Sequence, residues 1–322
     1  MAEGVENILG KCPGFPDITL IKGPNSAKLV IDTEYAKGEE LFVSVFPGVT
    51  VSCVDLFVRR RPEEDGEDSG IFSLNFCIDG RCEFALDDGS YFYLQEKGMS
   101  AVRRTRRAGC CVPGGWYRGV SVYIDWDGLS AESYKIFEKF GLPLRDMEKS
   151  LLDGADARVF RLSDEQCDAF MWLRRLGGDG DLSDVRLALL TLLRRLKCGV
   201  RDESRIYRLG SAQAETARRA ERMLMCDLSR RLTAAELAED MGVSEASLKN
   251  CFRAVYGQSI PMYMRMQRME RAAELLVRTG ETVQDIAHGV GYENQGKFAA
   301  VFREWYGISP LDYRRLNKRS GK

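Results

Sequence analysis

The chain has 322 residues, enough for two or three domains, and 47 basic residues against 48 acidic leave a net charge of −1. Charge alone therefore does not announce a nucleic-acid binder, and the single histidine, His288, excludes a histidine-ligated metal centre and any Ser-His-Asp or Cys-His arrangement in the N-terminal part. No basic-then-apolar leader and no apolar run of about 18 residues is present, so the expectation is a cytoplasmic protein without a membrane partner, its ten cysteines reduced.

The first 200 residues begin with short strand-like runs separated by Gly, Asp and Pro. These are 28–35, 40–46, 50–58, 71–79, 81–88, 90–95 and 119–126, a pattern that predicts a β-barrel or sandwich over 1–128. The segment 59–70, RRRPEEDGEDSG, reads as a long exposed hairpin loop. Arg103, Arg104, Arg106 and Arg107 stand together before the vicinal Cys110-Cys111. The arginines fit an anionic effector, a contact with DNA or polymerase, or a solvated strand edge that Arg protects from pairing. The cysteine pair fits a thiol sensor, a soft-metal site, or two small residues near a strand end. Trp116, Tyr117, Tyr123 and Trp126 line a pocket or pack in the core.

Amphipathic patterns follow at 131–141, 163–177 and 183–199. This helical segment, 129–200, offers a dimer seam or packs on the chain's own barrel. Residues 201–212 read as a linker. The fold class is thus α+β and multi-domain, with an all-α domain at 213–322.

That last domain contains an internal repeat. AELAEDMGVSEASLKNCFRAVYGQS (235–259) returns as VQDIAHGVGYENQGKFAAVFREWYGIS (283–309). Ala238 matches Ala287, Gly242 matches Gly291, and Phe252-Arg253 matches Phe302-Arg303. Tyr256-Gly257 and Ser259 match Tyr306-Gly307 and Ser309. Each copy reads as helix, tight turn, helix, with Thr233, Ser244, Thr282 and Asn294 as N-caps and Gly242 and Gly291 at the turns. Leu248, Phe252 and Val255 face inward in the first copy; Phe298, Val301, Phe302 and Trp305 do so in the second. Two helix-turn-helix units, 233–257 and 282–307, are therefore expected, joined by a helix over 259–279. A helix of about 20 residues spans about 30 Å, and one duplex turn is about 34 Å, so one chain can read two successive major grooves.

With Leu248, Phe252 and Val255 inward, Glu245, Ala246, Lys249, Asn250 and Arg253 face outward from the first recognition helix, whose cap is Ser244. Lys249 can donate to guanine and Asn250 can pair with adenine, while Arg253 suits phosphate. In the second unit Asn294 caps a helix that presents Gln295, Lys297 and Arg303. With Ala299 and Ala300 on that face, the second helix either reads thymine methyls or mainly grips phosphate through Gln295, Lys297 and Arg303. From Ser211 onward 18 basic and 14 acidic residues give +4, and the remainder carries −5.

LAEDMGVS, RMERAAELL, IAHGVGYEN and FREWYGISPLDYRR, in that order and spacing, resemble the AraC/XylS (arabinose-regulator) family of bacterial transcription factors across 212–317. The larger polar side chains usual in that family are replaced by Ala299 and Ala300. The resemblance implies an N-terminal domain that binds an unidentified small-molecule effector and dimerises, an RNA polymerase partner, and activation as the usual outcome. GGWYRGVSVYIDWDG (114–128) is similar to the pyochelin-regulator branch, which implies iron-loaded siderophore effectors. The expected function is an effector-responsive, non-enzymatic homodimer that binds double-stranded operator DNA. The alternatives are a repressor, or a sensory protein whose DNA reader has decayed. No cofactor or catalytic residue is expected.

Overall fold

The computed structural model describes residues 18–33, 36–58, 70–86, 88–103, 110–204 and 208–319. Arg104, Arg106, Arg107 and the loop at 59–69 lie outside them. The chain forms two compact units, Met1–Ser211 and Ala212–Lys322.

The first unit is built on strands β1 (Ile18–Lys22), β2 (Ser26–Asp32), β3 (Ala36–Phe46), β4 (Val49–Val58), β5 (Ile71–Ala85) and β6 (Tyr91–Gln95). It continues with β7 (Gly98–Arg103), β8 (Cys110–Cys111), β9 (Trp116–Asp125), β10 (Ala157–Arg161), β11 (Arg201–Asp202) and β12 (Arg208–Leu209). The antiparallel ladder runs β1-β2-β3-β4-β9-β5-β7-β10-β11, with β6, β8 and β12 branching off through β5 and β6. Among the described residues the path does not close into a ring, and the domain expected to be a barrel or sandwich is an antiparallel sheet that branches at β5. The runs 71–79 and 81–88 form one strand that passes through Gly80 instead of turning there. Its first part pairs with β9 and β7, and its last part with β6 and β8. At Gly80 (φ +81°) a Cβ would stand 1.9 Å from the Trp116 carbonyl oxygen, so glycine alone allows this approach. The segment read as a linker contributes β11 and β12, which pair with β10 and β6.

Helices α1 (Ala131–Lys139), α2 (Leu144–Leu152), α3 (Asp164–Asp179) and α4 (Leu182–Lys197) cover one face of the sheet. Alternation along β9 puts Val120, Val122 and Ile124 into a core shared with Phe137, Leu152, Phe170 and Leu189 from the four helices. Helices and sheet are thus one unit. Gln166 closes a capping box with Ser163 and donates through Nε2 to the carbonyls of Arg195 (3.1 Å) and Gly199 (2.9 Å), tying the start of α3 to the end of α4. Arg103 is committed to this packing: it pairs at 3.2 Å with the buried Glu148 of α2.

The opposite face carries a polar row. Ser52, Ser121, Asn75 and Ser100 are successive cross-strand partners on β4, β9, β5 and β7, and all are buried. Asn75 Nδ2 donates to Ser73 and Ser100 hydroxyls at 3.2 Å each, and Ser52 donates to Glu40. Tyr117 and Tyr123 are buried on this same face. Cys82 is disulfide-bonded, against the expectation that every thiol is reduced. The β8–β5 pairing sets Cys110 and Cys111 opposite Phe84 and Glu83 in the ladder. Burial pushes the free Cys77 thiol up to about 12 and Cys53 up to about 11, so neither is a nucleophile near neutral pH.

The second unit is helical: α5 (Ser211–Cys226), α6 (Ala234–Met241), α7 (Glu245–Tyr256), α8 (Ile260–Arg278), α9 (Val283–Gly289), α10 (Gln295–Tyr306) and α11 (Pro310–Arg319). The repeat is deeper than the two matched segments. Phe252, Tyr256 and Tyr263 form an aromatic triad with centroids 4.5, 5.3 and 4.8 Å apart. Phe302, Tyr306 and Tyr313 repeat it at 4.6, 5.4 and 5.0 Å. Each triad is closed by the helix after the pair, so α8 stands to the first copy as α11 does to the second. α8 also supplies Met269, Ala272 and Leu276 to the second core, making it a wall of both. No helix among the described residues is long and apolar enough to cross a membrane.

Tyr263 donates to Glu221 of α5 at 3.1 Å. Burial holds the Glu221 carboxyl above the usual carboxylate range, against the opposing Tyr263 hydrogen bond. A raised carboxyl pKa means that this group's stabilisation is full below the unfolded value and is lost as pH rises through the folded one. Glu221→Gln keeps an acceptor for Tyr263 without the buried charge. Its Tm is expected to exceed the parent's at pH 7, with the gap closing towards about pH 4. Paired melts across that range check it, and a gap that widens in acid contradicts the account.

Candidate nucleic-acid interface

Both short helix pairs owe their bend to local chemistry. Thr233 and Glu236 form a capping box at the start of α6, and Gly242 ends it in the left-handed region at φ 68°. Ser244 then caps α7, accepting from the Ser247 amide at 3.2 Å. In the second pair Thr282 accepts from the Asp285 amide at 3.1 Å. Gly291 turns at φ 82°, and Asn294 accepts from the Lys297 amide at 2.9 Å.

α7 divides cleanly. Leu248, Phe252 and Val255 are fully buried, while Glu245, Ala246, Lys249, Asn250 and Arg253 are exposed. Lys249 Nζ lies 2.5 Å from Glu245 one turn earlier, both side chains well exposed. Such a pair contributes about 0.3–0.5 kcal/mol, so a stronger acceptor than Glu245 can draw Lys249 away at little cost.

α10 divides less cleanly. Phe298 and Phe302 are buried, and Gln295, Lys297, Ala300 and Arg303 are exposed. Trp305, expected inside, is 37% exposed. It occupies the position of Val255, which is fully buried, and an indole is too large for that slot. The two pairs are held in one arrangement. Arg268 of α8 donates to the carbonyls of Leu228 (2.8 Å) and Arg230 (3.1 Å). Gly291 packs against the same loop, where a Cβ would come within 2.9 Å of the Leu228 and Ser229 carbonyl oxygens. Arg265 of α8 pairs with Glu304 of α10.

The structure thus brings Ser244, Ala246, Lys249, Asn250 and Arg253 together at α7, and Asn294, Gln295, Lys297 and Arg303 at α10. The sequence reading missed Arg230, Arg231 and Arg268, which border α7. A signal was present: Arg230-Arg231 stand just before the N-cap Thr233, where the helix dipole disfavours cations.

The family described as "Helix-turn-helix domain" matches residues 237–316. A putative AraC-like transcription regulator of Streptomyces lividans is 36% identical over 89 residues, covering 28% of this chain and 29% of that protein. The HTH-type transcriptional activator RhaR of Pectobacterium carotovorum is 39% identical over 71 residues, 22% of this chain and 25% of that one. The HTH-type transcriptional activator AarP of Providencia stuartii is 34% identical over 88 residues, 27% of this chain and 65% of that one. The chain spans less than a third of the length of the first two. The match falls on the two capped helix pairs and the helix they share, and the relatives are transcription regulators. Residues 237–316 are thus an AraC-type helix-turn-helix DNA-binding domain, of the kind that transcription regulators carry.

Proposed function

We propose that the chain reads DNA twice, through two helix-turn-helix units that place α7 and α10 in successive major grooves. The observation that carries this is α7 itself: Lys249, Asn250 and Arg253 stand exposed over a fully buried Leu248, Phe252 and Val255. α8, with 19 residues, is about 28 Å long, close to the rise of one duplex turn. Lys249 and Asn250 contact bases and Arg253 contacts phosphate; Ser244 and Ala246 frame the entry of α7. Gln295, Lys297 and Arg303, with the Asn294-capped amides, grip the backbone at the second groove, where Ala299 and Ala300 discriminate little.

The sheet unit is the regulatory part in this reading. The buried row of Ser52, Ser121, Asn75 and Ser100, flanked by Glu40, suits a small hydrogen-bonding effector. Met171, Trp172 and Leu187, exposed on α3 and α4, support a homodimer through these helices. Relatives named as activators support activation, and RNA polymerase is the partner that an activator in this reading would contact. Selection of genomic fragments on full-length protein, followed by footprinting, tests the reading. Two protected major grooves one helical turn apart per chain are expected; one protected groove per chain refutes bipartite reading.

A further inference from the structure

Beside the exposed face of α7, within the helical unit, lies a groove of about 760 Å³, a volume typical of small-molecule sites. Its floor is hydrocarbon, from Leu224 of α5 and from Ile260 and Met264 of α8. Its rim carries Arg230, Arg231, Lys249, Arg253 and Arg268. The one carboxylate among the lining residues, Glu245, is already paired with Lys249. Positive charge is crowded here. Burial, and in smaller part the neighbouring Arg231, lower the proton affinity of the Arg268 guanidinium, partly opposed by Tyr292.

A DNA backbone satisfies the rim but not the floor, because a sugar-phosphate chain has no long apolar segment to lay on Leu224, Ile260 and Met264. A molecule with one anionic group and a hydrocarbon body satisfies both. We propose that this groove binds a small amphipathic organic anion, its charged group at the arginine rim and its apolar body on the floor, and that the bound anion displaces DNA from α7. The displacement rests on the reading that α7 contacts DNA, since Lys249 and Arg253 serve both ligands; the binding does not.

The test uses full-length protein, with octyl sulfate below its micellar range as probe and 1-octanol and octyltrimethylammonium as neutral and cationic counterparts. Binding is followed by the methyl resonance of Met264, and a thermal melt confirms that the chain stays folded. Octyl sulfate alone is expected to give a saturable shift. Ala234→Phe, which fills the groove from the start of α6, abolishes it, and Arg231→Gln, on the exposed rim, weakens it severalfold. At ten times its own dissociation constant octyl sulfate weakens specific DNA binding about tenfold in the parent and leaves Ala234→Phe unaffected. No saturable shift up to about 1 mM, an equal shift with octanol, or a shift unchanged in both variants overturns the site. Saturable binding that leaves DNA affinity intact overturns the competition. If the protein binds no DNA even without octyl sulfate, the DNA reading and the competition fall together, and the Met264 shift still decides the site.

Discussion

Phe302→Ala lowers the Tm of the helical unit on the order of tens of degrees, as 3–5 kcal/mol does in a domain of this size, while the transition of the sheet unit stays in place. Phe302 is fully buried. It touches Phe298 at 5.7 Å, Tyr306 at 4.6 Å and Tyr313 at 5.4 Å between ring centroids, so it joins α10 to α11. Truncation leaves a cavity that two helices and α8 cannot all collapse into. A loss of about 3–5 kcal/mol is a large part of the 5–15 kcal/mol that holds an ordinary domain together. Because α8 walls both cores, the first helix pair loses support as well, and DNA affinity falls with the second. Calorimetry on the full chain separates the two transitions. An unmoved helical transition would show that α10 and α11 are not a cooperative part of the unit.

Lys249→Ala weakens operator binding by about 1–3 kcal/mol, roughly 5- to 150-fold, and relaxes discrimination at one base position. The stability of the helix changes little, because the Glu245 pair lost with it is exposed. Titrations on the operator, on variants of its first half-site and on unrelated DNA, at one salt concentration, resolve the role. An equal loss on every sequence assigns Lys249 to phosphate alone.

What was legible in the sequence was local chemistry. Thr233, Ser244, Thr282 and Asn294 announced four helix starts through their own side chains, and each oxygen accepts from the amide three residues on. Leu248, Phe252, Phe298 and Phe302 announced the buried stripes by spacing. What was hidden depended on partners far along the chain. β1, β7, β8, β10, β11 and β12 were not foreseen, because strands of two to six residues draw their stability from neighbours that the local sequence does not name. Tyr263 and Tyr313 went unmatched because each lies in the helix after its copy, and only contact with Phe252 and Phe302 reveals the third member. Ser52, Ser121, Asn75 and Ser100 alternate with apolar residues as a solvated face does, yet this sheet buries them too. The exposure of Lys249, Asn250 and Arg253 was legible because a helix sorts side chains by angle; Arg230, Arg231 and Arg268 of the neighbouring groove come from two separate segments and were not foreseen.

The helix that walls both cores has one further consequence. α8 runs for 19 residues with its only proline in the first turn and no glycine, its first half fixed in one core and its second half in the other. The spacing between α7 and α10 is therefore a length standard written in covalent bonds. Inserting a single residue between Tyr263 and Met269 would swing one helix pair by about 100° relative to the other and advance it by about 1.5 Å. Such a ruler has no hinge at its middle. Whatever engages this unit meets both helix pairs at one fixed interval, and can cover one, cover both or leave both free without resetting the distance between them.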